Sequence, residues 1–282
     1  MPLWRPNARA YVSSPERPQW TIAMPEGGWG PPWPQAVELL EVIPGDRWTL
    51  IGGLMVQLHV THAGLAANRA TTDIDMVLHI ETGAITFPAA RDSLESLNYK
   101  IQFPTGKGPI HRFTRGDDVI DVMVADRLPP DNVPEVRGRK LFQVPAGTSA
   151  LRKTVDCTIT RDGENSLTFS IPDTLGALVL KGAAYKADSR DRERHLDDAA
   201  LLACTVVDAA HEAARLGGGS DRGRMQLLQR ELQDASHRSW QLVPEEVRAY
   251  GREALAVMSR DPAPRQEPRR MGRATIPRGD GG

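Results

Sequence analysis

The sequence predicts an α/β (α+β) fold: a mixed sheet with flanking helices over residues 35–170, followed by a helical lobe over 171–260. Three observations carry that prediction. Apolar runs of strand length alternate with segments of helical spacing up to residue 150, a strand–turn–strand pattern follows, and beyond residue 170 the periodicity is that of amphipathic helices alone. A chain of 282 residues, 40% hydrophobic and 25% charged, can bury one large or two medium cores.

Residues 1–34, rich in proline and tryptophan and ending in "EGGWGPPWPQ", predict an extended arm packed by its aromatics, neither helix nor sheet. "PQAVELLEVI" has helical spacing, "RWTLIGG" reads as a short strand stopped by two glycines, and "LMVQLHVTHAG" as a helix closed by Gly64. "DIDMVLHI" is the next strand, "FPAARDSLESLN" a helix, and "YKIQF" and "DDVIDVMVAD" further strands. "DCTITRDGENSLTFSI" has the form of a hairpin turning at Asp162–Gly163. "PDTLGALVLKGAAYKA" opens a helix on Pro172 and Asp173, and "RERHLDDAALLACTVVDAAHEAARLGGG" runs as one helix to a glycine stop. "RGRMQLLQRELQDASHRSW" and "PEEVRAYGREALAVMSR" supply two more. The tail, 261–282, has almost nothing to bury and is expected to be disordered and basic.

The net charge is -1, from 35 Lys+Arg against 36 Asp+Glu, so no global field draws the chain to nucleic acid or lipid, and a polyanion must be held by a local patch. Cys157 and Cys204 stand far apart in no metal-like spacing, which suits a reducing cytoplasm. The N-terminus lacks an apolar h-region and no run is long enough to span a bilayer, so the expectation is a soluble cytoplasmic protein with no membrane partner.

The chemistry concentrates in "NRATTDIDMVLHI". A strand rises about 3.3 Å per residue and alternates its faces, so Asp73 and Asp75 project from one side with Cα atoms roughly 6.5 to 7 Å apart. That suits two carboxylates sharing a pair of hard divalent ions. The triplet alone is common: chance gives about 4 to 5 acid-x-acid triplets in this composition, and a solvated strand end explains most of them. Here Ile74, Met76, Val77, Leu78 and Ile80 make the strand apolar on both faces, so it should lie inside the sheet with the aspartates where it emerges. Asp121, inside the apolar run "VIDVMVAD", is the candidate third carboxylate; Asp118 and Asp126 compete but sit at strand ends, where a solvated carboxylate costs little. Gly52 and Gly53, between a strand and a helix, make a turn at which backbone N–H groups can approach an anion. His59 and His62 lie three residues apart with no third ligand and read as packing and surface residues, as do Trp29, Trp33 and Trp48.

The order "LIGG", helix, "NRATTDIDMV", then a strand with Asp121 resembles the nucleotidyltransferases of the DNA polymerase β-like superfamily, and within it the AbiEii/MenT type of toxin nucleotidyltransferase. The resemblance covers residues 46–203. Gly52 and Gly53 match the family's turn, Arg69 and Thr71 its polar lead-in, and Asp73 and Asp75 its metal pair. In "LKGAAYKADSRDRERHLDDAALL", Lys181 takes the lysine place, Arg190 the arginine and Asp198 the final aspartate, while His195 stands where relatives often have an acid, leaving Asp197 an alternative to Asp198. The resemblance implies two Mg2+ ions, with Mn2+ as an alternative, held by Asp73, Asp75 and Asp121. It implies an NTP bound by Gly52, Gly53, Arg69, Thr71, Lys181 and Arg190, and catalysis by the three carboxylates with Lys181 and Asp198. It further implies transfer of NMP to the 3' end of tRNA, growth arrest, and control by a cognate antitoxin protein; the chain is expected to act as a monomer.

Structural alternatives stand beside these roles. Arg69 can cap its loop against a carboxylate, Lys181 can snorkel to the surface, and Asp198 can pair with Arg194. For the acceptor, "RGRKLFQVPAGTSALRK" holds Arg137, Arg139, Lys140, Arg152 and Lys153 with no acid between them, and "KADSRDRER" adds a second basic segment; both suit phosphate, and both also suit a solvated face. A small-molecule acceptor of aminoglycoside type, a protein hydroxyl, and a nucleotide-binding module without catalysis are the rival readings.

Overall fold

A computed structural model describes residues 17–24, 28–66, 70–160, 166–216 and 219–261. The chain enters with β1 (Gln19–Ala23), passes through α1 (Trp33–Val42) to β2 (Trp48–Ile51), and starts α2 (Gly52–His62) on the next residue. β3 (Asp73–Leu78), α3 (Phe87–Ser96), β4 (Lys100–Ile101), β5 (Arg112–Arg115) and β6 (Asp118–Ala125) follow. Three two-residue strands, β7 (Glu135–Val136), β8 (Arg139–Lys140) and β9 (Gln143–Val144), and the single turn α4 (Gly147–Ala150) lead to β10 (Thr154–Thr160) and β11 (Ser166–Pro172). The rest is helical: α5 (Thr174–Ala187), α6 (Glu193–Ala203), α7 (Ala209–Arg215), α8 (Ser220–Leu232) and α9 (Glu245–Ser259).

The main sheet is mixed, in the order β1-β10-β11-β2-β3-β6-β5-β4, with β9 added beside β6. β3 lies at its centre, antiparallel to β2 and parallel to β6, a register that sets Asp75 against both Ile51 and Asp121. Residues 74 and 76–78 are buried, as a strand covered on both faces requires. α2 is apolar almost all round, burying Leu54, Met55, Val56, Leu58 and Val60, because it lies between the sheet and the helices α5 and α6. Trp33 and Trp48 both meet the edge of Phe169, and their indole N–H groups donate to Gln57 Oε1 (2.8 Å) and the Ile43 carbonyl (3.1 Å), so both are core residues.

Between β11 and α5 the Asp173 carboxylate accepts from the Gly176 N–H (2.8 Å) and caps the helix, so α5 begins at Thr174 while Pro172, expected with Asp173 in the first turn, ends β11. β10 and β11 pair antiparallel from Thr154↔Pro172 to Thr160↔Ser166, as expected of a hairpin. Its Asp162–Gly163 turn and residues 262–282 lie outside the described residues.

Three expectations need correction. Residues 19–23, expected in an arm outside any sheet, form β1, parallel to β10, burying Ile22 while Trp20 stacks on His62 (4.2 Å between centroids). The expected long helix over 192–219 breaks into α6 and α7. Thr205, in a β-branched stretch with Val206 and Val207, turns its hydroxyl back to the Leu202 carbonyl (2.8 Å), and Asp208 caps a fresh helix through the His211 N–H (2.9 Å). The helix expected to run on to Trp240 stops at Leu232; Asp234 folds onto the N–H and hydroxyl of Ser236 (both 2.8 Å), and residues 238–242 form a 3-10 turn. Among the described residues no helix is long and apolar enough to cross a membrane.

Candidate active site

The turn between β2 and α2 comes first. Gly52 has φ +73°, a left-handed conformation, and a Cβ there would overlap the Asp75 carboxylate. A Cβ on Gly53 would run into the Thr71 side chain. The two glycines therefore let the N-terminus of α2, which has no side-chain cap, lie directly against β3. Thr71 donates to Asp73 Oδ1 (2.9 Å) and fixes that carboxylate.

Across the β3–β6 register, Asp73, Asp75 and Asp121 bring carboxylate oxygens within 4.8 Å of one another. Burial, followed by the charges of Asp73 and Asp121, pushes the Asp75 carboxyl up to about 7, with Lys181 and Arg194 pulling the other way. The competing acids are committed elsewhere. Asp118 accepts from Arg115 (2.9 and 3.1 Å) and Gln35 (2.7 Å). Asp126 accepts from the N–H groups of Ala146 (3.0 Å) and Thr148 (2.9 Å), which outweigh its burial and hold it below the usual carboxylate range.

The opposite wall is helical. Lys181 on α5 does not snorkel: its ammonium donates to Asp198 Oδ2 on α6 (2.7 Å), and both residues are buried. Asp197 points to the other side, accepting from Ser239 (2.5 Å) and Arg238 (3.3 Å), so Asp198 is the acid facing the cavity. Arg194 lies 3.8 Å from Asp191. The Arg190 N–H donates to Asp188 Oδ1 (2.8 Å), whose other oxygen meets His195 Nε2 at 3.2 Å. Burial, and then the charge of Lys181, lowers the His195 pKa, so the imidazole is neutral near pH 7.

One cavity of about 700 Å³ is bounded by both walls. Gly52, Gly53, Thr71, Asp73, Asp75, Asp121, Lys181, Arg190 and Asp198 all line it; Arg69 lies outside the described residues. The cavity also contains Arg112, which sequence reasoning did not single out, and Arg194 and His195, which it named without giving them a site role. Arg112 reaches Asp121 through Nε (2.9 Å) and Nη2 (2.8 Å). Its signal was the register that sets "HRFTR" against "DVID", which only the sheet reveals.

His59 is no ligand. It is buried, its Nε2 lies 2.9 Å from the Pro172 carbonyl, and burial pushes its pKa down to about 4.

Several members of the first basic run have partners of their own within the fold. Arg137 lies over the Phe103 ring, Arg139 bonds the carbonyls of Gly106 and Gly108, and Lys140 bonds that of Pro130 (2.9 Å). Lys153 reaches Ser149 (2.7 Å) and Asp221 (3.3 Å) of α8, while Arg137, Lys140 and Arg152 are exposed. From the second segment, Arg190 and Arg194 line the cavity while Arg192 covers Tyr185. Comparison of the chain with protein-family models, with curated proteins and with solved structures gave no match.

Proposed function

We propose that the chain is a metal-dependent nucleotidyltransferase that moves NMP from an NTP to a hydroxyl acceptor and releases pyrophosphate. The observation that carries this reading is the meeting of Asp73, Asp75 and Asp121 in one cavity with a glycine-opened helix N-terminus and the cations of Lys181, Arg190 and Arg194. The donor set fits a hard divalent ion: three carboxylates within 4.8 Å, one of them kept protonated to near neutrality by burial and then by its charged neighbours, are what a cation would relieve. Magnesium bound there would stabilise charge building on the phosphates and ease deprotonation of the attacking hydroxyl.

The chain's own residues supply the remainder. N–H groups at the Gly52–Gly53 turn can donate to phosphate oxygens, and the helix dipole favours that negative charge. One of the three donors of the Lys181 ammonium is taken by Asp198, which aims the rest. Arg190 and Arg194 add charge at the rim. Attack in line on the α-phosphorus needs position and neutralised charge, with no nucleophilic side chain.

For the acceptor we infer the 3' end of tRNA, with growth arrest relieved by an antitoxin. Support comes from the AbiEii/MenT resemblance and from the cationic rim of Arg190 and Arg194. The engagement of Arg139 with backbone carbonyls and of Lys153 with Asp221 favours a second reading, a small-molecule or protein hydroxyl. Incubation with each α-labelled NTP, magnesium, total tRNA and, separately, small-molecule or protein hydroxyl acceptors separates them: label in tRNA supports the first, and label in one of the other acceptors with pyrophosphate release supports the second. Failure of every NTP to bind or turn over removes the transferase reading.

A further inference from the structure

Within the carboxylate cluster the three aspartates are not equivalent. Asp73 accepts one hydrogen bond from Thr71, and among the described residues no donor meets the Asp75 carboxylate. Asp121 has both oxygens engaged by the planar fork of Arg112, its direct partner in the β5–β6 register. The Arg112 side chain is 40% exposed and that of Asp121 is 9% exposed, so the arginine reaches in from the cavity and is the movable member. A bidentate guanidinium–carboxylate pair is among the stronger polar contacts, and an ion seeking Asp121 must displace it. Three ionised aspartates carry three negative charges; Arg112 balances one and leaves the charge that a single divalent ion matches.

We propose that Arg112 is the second cation of this cluster: without nucleotide the chain takes one divalent ion, on Asp73 and Asp75, and Asp121 becomes available only when a triphosphate draws the guanidinium onto its own oxygens. The idea rests on the nucleotidyltransferase reading and adds an order of loading to it. Arg112 thus changes partner, from carboxylate to phosphate, and acts as a positioning residue in the empty site and a phosphate ligand in the filled one.

Two binding measurements on the full chain test it, neither requiring turnover. Metal-free protein is titrated with Mn2+ and the free ion read by electron paramagnetic resonance; separately, a fluorescent non-hydrolysable NTP analogue is titrated at saturating magnesium. Wild type is expected to bind one ion, and Arg112→Met two, with at least a tenfold tighter second site, while the variant loses about 10- to 100-fold in analogue affinity, the range for one charge-assisted contact. That split, metal binding gained and nucleotide binding lost, is not what a structural defect produces. Arg112→Lys, which keeps the charge without the fork, is expected to fall between in both, and serves the same comparison if Arg112→Met does not fold. Two equally tight ions in wild type and Arg112→Met, or unchanged analogue affinity, overturns the proposal; an Arg112→Lys that matches wild type in both overturns the role of the fork. Mn2+ binding undiminished in Asp73→Ala and Asp75→Ala is a different failure, that of the metal site itself.

Discussion

Two groups of like charge stand out along this chain, the aspartates 73, 75 and 121 and the cations between 137 and 153, and they are held differently: the aspartates face one another, while several of the cations have partners of their own. The aspartates sit on strands whose register is dictated by buried neighbours, so their side chains have no other place to go. The cations sit in turns and two-residue strands, where long stems reach whatever acceptor is near: carbonyls of 106, 108 and 130, and Asp221 from a helix nearly 70 residues later. Like charges held together at a cost to the fold call for a ligand; like charges that find internal partners call for none.

The sharpest test of the aspartate side is Asp75→Ala. Losing one carboxylate of a metal-binding transfer site is expected to cost on the order of a thousandfold in transfer rate, about 4 kcal/mol of barrier. Initial rates of pyrophosphate release check this, and a loss under tenfold would break the contrast. The Lys181–Asp198 pair should behave as a buried structural pair that also faces the cavity. Lys181→Ala leaves Asp198 buried without that partner, expected to cost about 3 to 5 kcal/mol of stability in urea unfolding. The double change Lys181→Met with Asp198→Leu is expected to recover much of that stability while staying inactive.

A pH experiment sharpens the same point. In metal-free protein the Asp75 carboxyl titrates near 7, against an ordinary 3.8, so between those values the folded chain holds a proton that the unfolded chain has lost. The group's contribution is therefore full below its unfolded pKa and is lost as pH rises through the folded one. Asp75→Asn cannot ionise, so its melting temperature in chelator is expected to match wild type near pH 4 and to exceed it above about pH 7. Magnesium should raise the wild type and close the gap. The smallest effect belongs to the cations. If tRNA binds, Arg190→Ala and Arg194→Ala are each expected to lower the slope of log affinity against log salt by about 1, and Lys140→Ala to leave it unchanged. A filter-binding series over sodium chloride decides between them.

Much of this site was legible because its chemistry follows short-range rules. Alternation along a strand put Asp73 and Asp75 on one side, and an acid inside an apolar run marked Asp121. What was not legible depends on long-range packing. Arg112 gains meaning only when β5 lies beside β6 at one register, and "QWTIA" becomes a strand only when residues 156–160 offer an edge. Asp197 and Asp198 differ by one residue, about 100° around a helix, so choosing between them needs the faces that α6 buries. The break after Ala203 was underestimated because apolar spacing continues past it, while the β-branched residues and the cap at Asp208 argue locally for an end.

The cavity is built from residues that leave the ribosome far apart in time. β3 and β6 can pair once Ala125 is out, yet Asp198 follows Asp121 by roughly 80 residues, about 4 to 16 s of translation. Until α5 and α6 dock on α2, the carboxylates face water with no lysine opposite, and β10 is not there to receive β1. A nascent or prematurely ended chain thus carries the acids without their helical wall, and on the nucleotidyltransferase reading it is expected to be inert until synthesis has passed the helical half.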